Sequence, residues 1–325
     1  MSEAVEPEAE RNQPLPRANP RRPRWALPLL LIGLTFLSTS FVGAVMEGVV
    51  PSHLRDLAAG LPFSLPLMAI LLAHEFGHYL AARGHGVPTS PPYFIPMPVF
   101  MLGTMGAIIS MRGRIRRRDA LLDIGASGPL AGLAVAIPVL VYGIVESPVQ
   151  PITTDEPYLL EGRSLLYVTL LYLLKGPIPH GQDIMLSSTA FAGWAGLLVT
   201  MINLLPIGQL DGGHIAYALF DSKQLALSRR MRRLLPLLGV AVGLAYGLTA
   251  FTEGKRGDAL QNEFETGLPW LVWWILLTLL ARATRIEHPP TDPGELSPGR
   301  RRVALLALVV FALLFMPAWM RIVVP

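Results

Sequence analysis

Five consecutive residues, His74-Glu75-Phe76-Gly77-His78, lie between Leu71-Leu72-Ala73 and Tyr79-Leu80-Ala81. On a helix, i and i+4 spacing puts both imidazoles on one face, a turn apart, where they can share a metal ion. Glu75 then sits beside that face, placed to act on water at the metal without being a ligand itself. Three ionisable groups in one apolar turn are costly, and in a membrane such groups are candidates for function. The sequence has no cysteine. Zinc-thiolate sites and Cys nucleophiles are therefore excluded, and a transition metal must be held by His and carboxylates.

A catalytic zinc needs a third protein ligand and one open position. Acids embedded in apolar sequence are few, mainly Asp123 and Asp211. Asp211 belongs to Asn203-Leu204-Leu205-Pro206-Ile207-Gly208-Gln209-Leu210-Asp211-Gly212-Gly213-His214, where the proline and glycines open the helix and let polar groups face a cavity. Asp123, near Arg118, reads as a snorkelling or ion-paired acid. His214, one turn beyond Asp211, competes as a ligand; its plainer role is a hydrogen bond near the mouth of the site.

The elements that must carry these residues are membrane helices. The hydrophobic share is 52% and the charged share 15%, against about 25% charge in globular domains. So little charge cannot cover a water-soluble body of 325 residues, and a soluble enzyme is excluded. Apolar runs long enough to cross a hydrocarbon core of about 30 Å cover 25–46, 61–82, 119–145, 187–205, 233–251, 267–284 and 302–320. The expected fold is an all-α polytopic membrane protein with about seven transmembrane helices. The stretches 91–111 and 164–174 are too short or too broken to span. The first is Pro-rich and then Gly-punctuated, and reads as a short re-entrant or β-like element, buried in protein or lining a wet cavity.

The net charge is +4, and the basic residues fall in blocks at the ends of apolar runs. Arg83 and Arg112 to Arg118 form one block, Lys223 to Arg233 a second, and Arg282 to Arg302 a third. The alternate segments 47–60, 146–186 and 252–266 are poor in basic residues or lean acidic. This is a topology signal and not a phosphate footprint, so no nucleic-acid partner is expected. It gives a multi-pass protein of the cell (inner) membrane with a cytoplasmic N-terminus and, after seven spans, an outer C-terminus. His78 lies roughly 8 Å of helix rise from Arg83, and Asp211 also falls at a cytoplasmic end. Both motifs thus reach the same side at similar depth.

HEFGH on one membrane helix with NLLPIGQLDG on another closely resembles the site-2 protease family of intramembrane zinc metalloproteases (peptidase family M50). The patterns H-E-x-x-H and N-x-x-P-x-x-x-L-D-G are both complete. The resemblance implies that His74, His78 and Asp211 bind one zinc, that Glu75 is the catalytic base, and that Asn203 positions substrate or stabilises the transition state. It implies regulated intramembrane proteolysis of a single-pass membrane-protein substrate within the lipid bilayer. The chain divides into a flexible cytoplasmic tail (1–24), a first span and outer loop (25–60), the catalytic core (61–220) and C-terminal membrane spans (221–325). Gly128 and Gly132 form a G-x-x-x-G face that reads as helix packing. The longest outer loop, 146–186, is too short for an extra domain of usual size, which leaves substrate selection to the membrane elements. The 91–111 element would add an unwound substrate as a strand, or act as a plug or lid. Two rival functions stay open: a zinc transporter using the same ligands, and a catalytically inactive substrate-binding relative.

Overall fold

The structure is a computed structural model that describes residues 25–323 apart from 112–114, 116, 153–157, 285–290 and 293. The tail expected over 1–24 lies outside the described residues. Ten α-helices are described, each close to an apolar run or its flanks. They are α1 (Ala26–Met46), α2 (Leu61–Gly84), α3 (Arg118–Glu146), α4 (Leu165–Lys175), α5 (Ser188–Asn203), α6 (Asp211–Phe220), α7 (Lys223–Thr252), α8 (Gly257–Glu265), α9 (Leu268–Thr284) and α10 (Pro298–Leu314). A 3-10 helix, Leu54–Gly60, leads into α2. Four helical segments are long and apolar enough to cross a membrane, and α8 with α9, bent by 41°, counts as a fifth. The runs expected over 187–205 and 302–320 form helices of only 16 and 17 residues.

The structure is mostly helical, as expected, with more short strands than the one β-like element expected over 91–111. Besides the hairpin in 91–111, two further two-stranded sheets are present. The hairpin pairs β1 (Tyr93–Pro96) with β2 (Thr104–Ile108), with a bulge between Phe94 and Pro96. The others join β3 (Val149–Pro151) to β5 (Gln182–Ile184), and β4 (Tyr158–Glu161) to β6 (Met320–Val323). These strands are three or four residues long, below the length at which alternation of apolar residues becomes readable.

The core is α2, α3 and α5. Phe63, Leu67, Ile70, Leu140 and Trp194 are buried among them. Proline at 66 removes the N–H that would bond the Pro62 carbonyl, and the Thr189 hydroxyl of α5 donates to that carbonyl at 3.0 Å. The hairpin is pinned to α1, where the Ser38 hydroxyl donates to the Gly103 carbonyl at 2.6 Å.

Polar contacts collect at the two ends of the helices. At the Arg-rich end, Arg118 donates to the carbonyls of Ala218 and Gly294. There Arg300 of α10 pairs with Asp119 at 3.1 Å and Asp123 at 2.6 Å, and His85 approaches Asp123 at 2.8 Å. Asp123 is thus ion-paired, and its cation is Arg300, not the neighbouring Arg118. At the opposite end, β4 pairs with β6, Glu263 holds Lys255 and Arg321 at 2.8 and 3.4 Å, and Ser188 donates to Glu47 at 2.5 Å. The indole of Trp194 donates to the Gly162 carbonyl at 2.8 Å. Burial raises the Glu161 carboxyl above the usual range, opposed by the Tyr167 hydroxyl that donates to it at 2.6 Å.

Candidate metal centre

His74 and His78 lie on uninterrupted turns of α2, and both are buried. Asp211 is the first residue of α6, where a carboxylate is favoured by the helix dipole. It arrives there because α5 stops at Asn203 and residues 204–210 run as a non-helical bridge, as the proline and glycines require. The bridge is tied to α7, where the Ser228 hydroxyl accepts the Gly208 N–H at 2.9 Å. Glycines at 212 and 213 let α6 start against the bridge: an added Cβ would stand 2.0 Å from the Leu204 oxygen and 2.2 Å from the Gly208 oxygen.

Three atoms from these two elements form a nearly equilateral triangle. His74 Nε2 and His78 Nε2 are 3.2 Å apart, and Asp211 Oδ2 is 3.3 Å from the first and 3.2 Å from the second. Ligands about 2.0–2.1 Å from a tetrahedral zinc are separated by roughly 3.3 Å. The donor set therefore fits that ion in both chemistry and spacing. The His78 tautomer fits too. Its Nδ1 lies 2.7 Å from the Ile124 carbonyl. A carbonyl can only accept, so Nδ1 carries the hydrogen and neutral His78 presents a bare Nε2 to the triangle.

Glu75 is half-buried and follows His74 on the same turn of α2. The Asn203 amide nitrogen is 3.3 Å from His74 Nε2. His74, His78, Asp211 and Asn203 are therefore brought together, with Glu75 next to His74 on α2. Among the described residues, the one group of three metal-ligating side chains is His74, His78 and Asp211. His214 lies a turn along α6 outside that group. The role of α3 is not apparent from its sequence: Gly128 and Gly132 meet the two imidazoles and not merely a helix backbone. Beside the centre, a cleft of about 470 Å³ is lined by Ala81, His85, Asp123, Ser127 and Arg300 among others.

Residues 62–246 match the sequence profile of peptidase family M50. The chain is 33% identical over 197 residues to "Probable zinc metalloprotease EGY2, chloroplastic" of Oryza sativa subsp. indica, covering 58% of this chain and 34% of that protein. It is 28% identical over 265 residues to "Probable zinc metalloprotease EGY1, chloroplastic" of Arabidopsis thaliana, covering 80% of this chain and 43% of that one. The matched part thus spans between a third and a half of these relatives' length.

Proposed function

The chain belongs to peptidase family M50, and from that premise we propose that it is an intramembrane zinc metalloprotease of the site-2 type. It holds one zinc and hydrolyses a peptide bond in or near the transmembrane segment of a single-pass membrane protein. The observation that carries this reading is the triangle of His74, His78 and Asp211. A transporter would string ligands along a path through the bilayer, whereas the described residues gather them at one point. An intact Glu75 beside them argues against an inactive relative.

Bound in the triangle, zinc would polarise the scissile carbonyl and make water a better acid. Glu75 accepts the proton that the attacking water loses and returns it to the leaving amine. Asn203 is placed to hydrogen-bond the substrate's peptide group as negative charge grows on its oxygen. The cleft that His85, Asp123 and Arg300 help to line at the Arg-rich end is the route proposed for water. A substrate helix hides its amides in its own hydrogen bonds. The two-stranded hairpin offers an edge on β2, with Met105 and Ile108 exposed, to which an unwound substrate would add as a strand.

The contacts at the two ends support the seven-span reading. Pairing of β4 with β6 sets 158–161 and 320–323 on one side, so the chain between them crosses an even number of times. On the seven-span reading the four crossings between them are α5, α7, α9 and α10, which meets that requirement. With the positive-inside rule, the Arg-rich end and the N-terminus are cytoplasmic. The test is comparative membrane proteomics of cells carrying the native chain or Glu75→Gln. One or a few single-pass proteins should accumulate with the variant, and an unchanged membrane proteome would count against proteolysis.

A further inference from the structure

Helix α3 donates no ligand, yet each ligand residue rests on it, at Gly125, Gly128 and Gly132. Spacings of three and four put these glycines on one face. A Cβ at Gly125 would stand 2.9 Å from the His214 Cβ and 3.3 Å from the Asp211 backbone oxygen, both on the first turn of α6. At Gly128 it would stand 2.0 Å from His78 Nε2, and at Gly132 3.1 Å from the His74 Cβ and 3.3 Å from its Nδ1. Next to the first glycine, the Ile124 carbonyl accepts the His78 Nδ1–H, while the Ser127 hydroxyl donates to the same oxygen at 2.9 Å.

Close helix packing alone accounts for glycines that meet backbone. Gly143 is such a case, since its Cβ would stand 2.3 Å from the Ala190 nitrogen of α5. Gly128 differs, because the atoms it makes room for are the imidazole ring that must present a bare nitrogen to a cation. Any side chain there would push His78 out of the triangle, and rotating the ring away would break its bond to Ile124.

We propose that α3 is the template of the metal centre. Its Ile124 carbonyl selects the His78 tautomer, Gly128 and Gly132 set how deep the two rings sit, and Gly125 seats the start of α6 that carries Asp211. These are positioning residues; they act through the ligands. The proposal rests on the metalloprotease reading and assigns the source of its donor geometry.

The test measures zinc affinity and the cobalt(II) absorption spectrum of the purified full chain in detergent, for native protein, Gly128→Ala, Gly132→Ala and Gly143→Ala. Loss of outer support for a metal ligand typically costs about 10–100-fold in affinity. Gly128→Ala should lose about 100-fold and shift the cobalt spectrum. Gly132→Ala, whose neighbour must yield by only a few tenths of an ångström, should lose about tenfold and stay folded, so it carries the test if Gly128→Ala does not fold. Gly143→Ala should lower thermal stability while affinity and spectrum stay native. The template is overturned if Gly128→Ala and Gly132→Ala hold zinc as tightly as native protein. It is equally overturned if Gly143→Ala weakens binding as much as they do. A native chain that binds no zinc would overturn the metalloprotease reading with it, and that failure is distinct because it shows before any glycine is changed.

Discussion

The two halves of the centre are built in opposite ways. His74, Glu75 and His78 stand on continuous turns of α2, so their spacing along the chain follows from helix geometry. Asn203 and Asp211 stand on either side of the non-helical bridge 204–210, whose turns are closed by backbone bonds from the Ile207 N–H to Leu205 and from the Leu210 N–H to Ile207. Gly212 and Gly213 seat the start of α6 on this bridge, and Ser228 of α7 ties it from outside by accepting the Gly208 N–H. The spacing of the helical half is fixed by α2, and only the seating of its rings on α3 comes from outside. The bridged half should also respond to residues that never touch substrate.

The largest effect expected is from the ligands themselves. His74→Ala, His78→Ala and Asp211→Ala should each remove zinc, by elemental analysis, together with cleavage. His214→Ala should keep zinc near native occupancy. The reverse result for the last pair, zinc kept without Asp211 and lost without His214, would assign the third ligand to His214 and dissolve the bridged half as drawn. Next comes Glu75→Gln, which keeps shape and polarity but cannot take a proton. Zinc should stay bound while cleavage falls by at least about 10²-fold, a general-base contribution. Ser228→Ala should have the smallest effect. It leaves the Gly208 N–H without its acceptor beside a fully buried position, at a cost of about 1–3 kcal/mol. Thermal unfolding should register that loss. If zinc affinity also falls while an equally destabilising change elsewhere leaves it alone, the bridge is indeed set from α7.

What is legible in the sequence follows the same division. The spacing of HEFGH is itself a helical distance, and the proline and glycines of 203–214 announce a broken helix, while Asn203 and the choice of Asp211 over His214 come from the resemblance to the family. Long apolar runs form helices because each must satisfy its backbone internally, though the run 233–251 lies in a helix that starts ten residues earlier, at Lys223, and the run 302–320 in one that ends at Leu314. What depends on distant partners is not readable. Arg300 finds Asp123 from 177 residues away, where proximity in sequence suggests Arg118. Gly128 and Gly132 carry the signature of helix packing, and only the fold shows that a ligand ring fills the space. Strands as short as Tyr158–Glu161 have no pattern of their own until a partner is found.

That last partner has a consequence in time. Residue 320 of β6 follows residue 161 of β4 by 159 positions, which at about 5–20 residues per second is on the order of ten seconds of synthesis. Throughout that interval β4 is an open edge, steadied from α5 by the indole of Trp194 on Gly162. The sheet can close only when Met320–Val323 emerges on the same face of the membrane as Tyr158–Glu161. Of the three described sheets this one closes last, because its second strand is the last described element of the chain to be made.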